Sequence, residues 1–240
     1  MRSIEVKNIS YTYPDGVEVF KNISFDVNLN ESIGIIGPNG AGKTTLLLAL
    51  SGLVSNSGEI FVGGVLKSEK NITEIRKKIS FVFQNPDDQL FMPHVEDDIA
   101  FGLDKLGFSA EEIRSIVKDS LRSAGLEGFE LRSSHHLSLG QKKRVCLAAA
   151  FARTPEILLL DEPSNELDPG GRRELIRLIK KFTGTKLVVS HDLDMIAEVC
   201  DKVLILNSNS IVASGNSKKI LSDKELMENN SLEIPFKYRR

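Results

Sequence analysis

Apolar and polar positions alternate at the start of the chain. Ile4 and Val6 alternate with Glu5 and Lys7, and Ile23, Phe25, Val27 and Leu29 with Ser24, Asp26 and Asn28. A period of two belongs to strands with one buried face, so antiparallel sheet is expected here. Tyr13-Pro14-Asp15-Gly16 supplies the turn that ends the first run. Farther along the pattern changes. Ile157–Leu160, Leu187–Val189 and Val203–Leu206 are unbroken apolar runs, as expected of central strands covered on both faces. Between them apolar residues recur at helical spacing, with Val145, Ala148, Ala149 and Ala152 at i, i+3, i+4 and i+7. Strand and helix in alternation predict an α/β core around a parallel central sheet.

Residues 85–137 break this pattern. Strand signals stop, and two helical stretches, 95–101 and 110–124, lie among loops carrying Pro86, Pro93 and Gly107. The chain thus reads as one domain over residues 1–240. Residues 1–84 and 138–215 form the α/β core with its antiparallel subdomain, 85–137 a helical insertion, and 216–240 a short polar tail of one or two small helices.

Composition narrows the function classes. A net charge of -2 gives no basic face, so nucleic acid is not expected as a partner. No apolar run reaches the 18 or so residues of a membrane span, and Met1–Glu5 lacks a signal peptide's apolar stretch. Cys146 and Cys200 are far apart and form no C-x-x-C, so two buried thiols in a cytosolic protein are expected. The adjacent His135 and His136 have no nearby cysteine or carboxylate cluster and read as loop residues.

The strongest chemical signal is Gly37-Pro38-Asn39-Gly40-Ala41-Gly42-Lys43-Thr44, which fits G-x-x-x-x-G-K-[ST]. An apolar strand (Ile33, Ile35, Ile36) precedes it and a helix-forming run from Thr45 follows. Glycines let the backbone wrap until its N–H groups point at phosphate oxygens, and the helix N-terminus favours the same anion. Lys43 would reach the β- and γ-phosphates, and the Thr44 hydroxyl would hold Mg²⁺. A nucleoside triphosphate with Mg²⁺ is therefore the expected ligand, and the family resemblance below implies that it is ATP.

Asp161-Glu162-Pro163 follows the buried run Ile157–Leu160. A carboxylate at the end of a core strand beside a phosphate loop is a Mg²⁺ ligand through water, which assigns Asp161. Glu162 is then placed to polarise the attacking water.

Leu137-Ser138-Leu139-Gly140-Gln141 stands directly ahead of a helix expected over Lys142–Arg153. With this segment the chain resembles the ATP-binding cassette family from Tyr13 to Gly215, whose signature loop usually reads L-S-G-G-Q. The resemblance implies a phosphate-loop NTPase fold and an ATPase in which one subunit's signature (Ser138, Gly140, Gln141) completes the site of another. It also implies roles for Gln84 as the switch glutamine at Mg²⁺ and the lytic water, for His191 as the γ-phosphate switch, and for Asp168 in the loop crossing the dimer interface. Tyr13 resembles the aromatic that stacks on adenine, with Tyr11 as competing candidate. The sequence departs from the family at Leu139, where glycine is usual. Leucine takes positive φ at a cost, so an ordinary backbone is expected there, with the side chain turned from the nucleotide.

The segment Phe83–Pro93 looks like the ATPase of energy-coupling-factor importers, which bring in vitamins or cobalt and nickel ions. His135–Gly140, Leu167-Asp168-Pro169 and Arg172-Arg173-Glu174 lean toward the cobalt/nickel branch. The resemblance implies a peripheral protein on the cytoplasmic face, pairing with an identical chain or a paralogue. It also implies a transmembrane subunit seated on residues 86–102, with Phe91, Met92 and Val95 as apolar anchors. A non-transport cassette ATPase of DNA repair or translation, or the ATPase of another importer class, is the alternative.

Overall fold

The computed structural model describes residues 1–239. Strands β1 (Arg2–Thr12) and β2 (Glu18–Asn28) are joined through the Tyr13–Gly16 turn, whose Gly16 N–H donates to the Tyr13 carbonyl at 2.9 Å. Strand β3 (Ser32–Ile36), helix α1 (Lys43–Ser51) and the hairpin β4 (Ser57–Val62) with β5 (Val65–Leu66) follow. Helix α2 (Ile72–Lys78) leads into β6 (Ile79–Val82). Helices α3 (Val95–Ala100) and α4 (Ala110–Ser123) then precede α5 (Leu139–Ala152). The rest alternates: β7 (Ile157–Asp161), α6 (Pro169–Lys181), β8 (Thr185–Val189), α7 (Leu193–Val199), β9 (Lys202–Asn207) and β10 (Ser210–Asn216). Two short helices, α8 (Ser217–Leu221) and α9 (Lys224–Asn229), follow, with a single 3-10 turn over Phe236–Tyr238 after them.

Two sheets result. The antiparallel one runs β2-β1-β4-β5; the larger runs β10-β9-β3-β8-β7-β6, parallel except for β10. The unbroken apolar runs are explained by burial on both faces. On β7, Ile157 and Leu159 enter one core while Leu158 and Leu160 enter the other; on β8, Leu187 and Val189 oppose Val188. One core holds α1 and the inner face of the antiparallel sheet, including Leu46, Leu50, Ile4 and Ile23. The other holds α3 to α7. The phosphate-loop α/β fold is thus formed by a sheet with a cover on each side.

Three details depart from the sequence reading. Leu29 lies beyond β2 and is 45% exposed, because the chain reverses through Asn30 at φ 60°. Helix α5 begins at Leu139, not Lys142, because Ser138 and Gln141 form a reciprocal capping box. Val95, expected as an exposed anchor, is fully buried: it opens α3 and faces the core, while Phe91 and Phe101 stay 63% and 53% exposed.

Candidate functional site

The parallel strands β3, β6, β7 and β8 deliver Gly37, Gln84, Asp161-Glu162 and His191 at their C-terminal ends. Open α/β sheets bind ligands at this edge. Here it forms a cleft of about 540 Å³, lined by residues 39–45, Tyr13, Val17, Val19, Gln84, Glu162, Asn165 and His191.

The glycine loop is shaped by close approach. Gly37 has φ 152° and a Cβ there would lie 2.0 Å from the Leu206 carbonyl; Gly42 has φ 89° and a Cβ would meet Val19 at 2.6 Å. Gly42 is the N-cap of α1, and no side chain caps that helix, so its first amides are left for an anion in the cleft. Lys43 is buried and its Nζ donates to the Gly37 and Pro38 carbonyls, each at 2.8 Å. Burial pushes its pKa down, against the opposing charges of Glu162 and Asp161. A cation held over a loop of amides is ready to exchange carbonyls for phosphate oxygens.

The Thr44 hydroxyl donates to Asp161 Oδ1 at 3.0 Å. Burial pushes the Asp161 carboxyl up, the Thr44 hydrogen bond opposes this, and the neighbouring Glu162 charge adds to it. This oxygen pair fits a hard cation such as Mg²⁺. Among the described residues no group of three His, Cys, Asp or Glu side chains could hold a metal alone. A divalent ion here would depend on phosphate oxygens as well.

Glu162 is buried and takes φ 44°, an uncommon conformation outside glycine. Its Oε2 accepts from the His191 N–H at 3.1 Å and the Ser190 hydroxyl at 3.2 Å. Its Oε1 has the His191 Nε2 at 3.4 Å, outside hydrogen-bond geometry, and is left buried without a partner. An unpartnered carboxylate oxygen on a cleft wall is an acceptor awaiting a proton donor.

Tyr13 and Tyr11 separate clearly. Tyr13 is 43% exposed, lines the cleft and shares a hydrogen bond of 3.1 Å with Thr45 Oγ1. Tyr11 meets it edge-on at 5.4 Å and packs back on Phe20 at 6.1 Å. Val17 and Val19, which sequence reasoning passed over, give the cleft an apolar wall beside Tyr13. A valine directly after the Tyr13–Gly16 turn was the available signal.

Ser138, Gly140 and Gln141 lie outside this cleft. The Ser138 Oγ accepts the Gln141 N–H at 3.3 Å and the Gln141 Oε1 accepts the Ser138 N–H at 2.9 Å. Accepting leaves the hydroxyl proton of exposed Ser138 free to donate. Leu139 has a helical backbone, and its side chain lines a second space of about 420 Å³ with Thr44, Gln84, Lys143 and Asp161. Leu139 is thus half-buried beside this chain's own metal-side residues. Asp168 is the N-cap of α6, its Oδ1 accepting the Gly171 N–H at 2.7 Å. His135 and His136 sit exposed in a short turn ahead of α5. Cys146 and Cys200 are buried, and burial pushes both thiols up, away from reactivity.

A glycine loop on a helix N-terminus, a hydroxyl–carboxylate pair and a half-satisfied glutamate together define a phosphate-loop nucleoside triphosphatase. The chain belongs to the ABC transporter family, whose model matches residues 20–165. A putative ABC transporter ATP-binding protein of Gloeobacter violaceus is 45% identical over 98% of both chains. The energy-coupling factor transporter ATP-binding protein EcfA of Methanococcus maripaludis is 42% identical, over 98% of this chain and 87% of that one. Among solved structures, cbiO1 of Clostridium perfringens, part of the ABC transporter complex cbiONQ, is 34% identical with a TM-score of 0.83 over 95% and 94% of the chains. The cassette MJ0796, a post-hydrolysis dimer bound to ADP and Pi, is 28% identical with a TM-score of 0.81 over 89% and 98%. The chain is an ATP-hydrolysing transporter subunit.

Proposed function

We propose that two such subunits, identical or paralogous, close on Mg²⁺-ATP, each sealing the other's cleft with Ser138, Gly140 and Gln141. The observation that carries this is separation: Ser138, exposed at the capped N-terminus of α5, and Gly140 and Gln141 beside it do not line the chain's own glycine-loop cleft. In this reading Tyr13 stacks on adenine, residues 37–45 and Lys43 hold the phosphates, and Thr44, Asp161 and Gln84 hold Mg²⁺. Asp168 shapes the loop at the interface, His191 contacts the γ-phosphate, and Glu162 is the base. Bound Mg²⁺ supplies charge stabilisation on the phosphates.

A Cβ at Gly140 would meet Leu167 at 3.7 Å and nothing closer, so the fold tolerates a side chain there. Gly140→Asp should therefore fold, bind ATP and lose hydrolysis, since a carboxylate would face the γ-phosphate. Leu139→Gly should keep ATPase activity within a few-fold. A reversed order of severity, measured by phosphate release, would refute the assignment of Ser138 and Gly140 to the phosphate.

The ATPase is proposed to drive an importer of energy-coupling-factor type from the cytoplasmic face of the membrane. Its likeness to EcfA and to cbiO1 supports this, as does the segment 86–102. Phe91 and Phe101 meet edge-to-face at 5.0 Å there, exposed, beside a groove of about 230 Å³. Exposed paired aromatics anchor helices in grooves. Among the described residues no helix is long and apolar enough to cross a membrane. Cobalt or nickel ions are the cargo favoured by residues 135–140 and 167–174, ahead of a vitamin. Co-expressed with the membrane proteins encoded beside it, the chain should co-purify with them in detergent, and Phe91→Glu should abolish this without altering thermal melting. Retention of the complex in that variant would remove the groove assignment.

A further inference from the structure

Ser190 carries a hydroxyl that the sequence motifs leave without a role. It is 1% exposed, lies between β8 and His191, and makes two hydrogen bonds. Its Oγ accepts the Asp192 N–H at 3.0 Å and donates to Glu162 Oε2 at 3.2 Å. The Asp192 amide already donates to Oγ, which leaves the hydroxyl proton for Oε2. The His191 amide gives Oε2 its second donor at 3.1 Å. The backbone of Glu162 is fastened as well: its N–H donates to the Val189 carbonyl at 2.9 Å, and Lys143 Nζ donates to its carbonyl at 3.3 Å. These four contacts hold a residue at φ 44° with one oxygen engaged and the other bare.

We infer that Ser190 is a positioning residue for ATP hydrolysis. With the His191 amide it pins Oε2, so that Oε1 is the oxygen that takes the proton from the attacking water. The inference rests on the reading of Glu162 as base. In the step itself, a water O–H proton passes to Oε1 while the water oxygen bonds to the γ-phosphorus. The bond from that phosphorus to the β–γ bridging oxygen breaks, and its electron pair leaves on ADP. Without Ser190 the carboxylate loses a donor on Oε2 and can rotate about its terminal bond, a broad torsion that only contacts restrain. The proton-accepting lone pair then meets the water in fewer encounters, which lowers kcat and leaves ground-state binding alone.

The test is steady-state ATPase kinetics on the full chain, with four variants checked by thermal melting. Ser190→Ala should lower kcat on the order of tenfold with KM within about twofold, the size of one lost bond to a charged group. Ser190→Thr, which keeps the hydroxyl, should return kcat to within about twofold of the parent. Adding Ser190→Ala to Glu162→Gln should give no further loss, because groups that act as a unit are non-additive. An unchanged kcat in Ser190→Ala would overturn the inference, as would an equal drop in both backgrounds, which marks a merely structural hydroxyl. Full turnover by Glu162→Gln alone would instead remove the base on which the inference rests.

Discussion

Glu162→Gln should bind ATP, hydrolyse it on the order of 10²–10⁴-fold more slowly and accumulate as a closed dimer. The geometry gives the reason. Oε2 is already engaged by the Ser190 hydroxyl and the His191 amide, and only Oε1 is free to take a proton. An amide at this position keeps the volume and one acceptor but has no basic oxygen. Nothing in the phosphate loop is touched, so affinity is retained. In the proposed cycle reopening follows hydrolysis, so the closed pair should persist. Single-turnover phosphate release and sedimentation velocity with ATP check both halves. Turnover equal to the parent chain would strip Glu162 of its role.

Lys43→Ala should weaken ATP binding by about 100-fold or more, the cost of removing one partner from a buried hydrogen-bonded charge pair. In the free protein the ammonium contacts the Gly37 and Pro38 carbonyls and sits beside the Asp161 and Glu162 charges. Its loss leaves two carbonyls without that donor, about 1–3 kcal/mol, so the melting temperature should fall by less than about 10 °C. Titration with a fluorescent ATP analogue, beside a thermal melt, separates the two effects. Normal affinity in a folded Lys43→Ala chain would contradict the phosphate-loop reading.

Backbone-driven features were the most legible in the sequence. The loop Gly37–Thr44 needs glycine where φ is positive or the chain passes close to Leu206 and Val19, so its spacing carries its geometry. The unbroken runs in β7, β8 and β9 announced central strands, because alternate residues feed two cores. Features set by side-chain direction were less legible. Val95 and Phe101 are both apolar and only six positions apart, yet α3 turns the first inward and ends before the second. Tyr11 and Tyr13 share a strand end, and only the packing of Tyr11 on Phe20 shows which ring faces the cleft. The start of α5 was readable, since Ser138-x-x-Gln141 is itself a capping-box pattern. Ser190 carries no motif of its own, standing beside a histidine with a stronger claim.

Composite assembly is most directly tested by diluting the chain at saturating Mg²⁺-ATP while following specific activity and sedimentation together. Specific activity should fall as the dimer dissociates, although each separated chain still binds nucleotide. A monomeric species that keeps undiminished turnover per chain would show that one cleft suffices and that the partner's serine and glycine have no part in it.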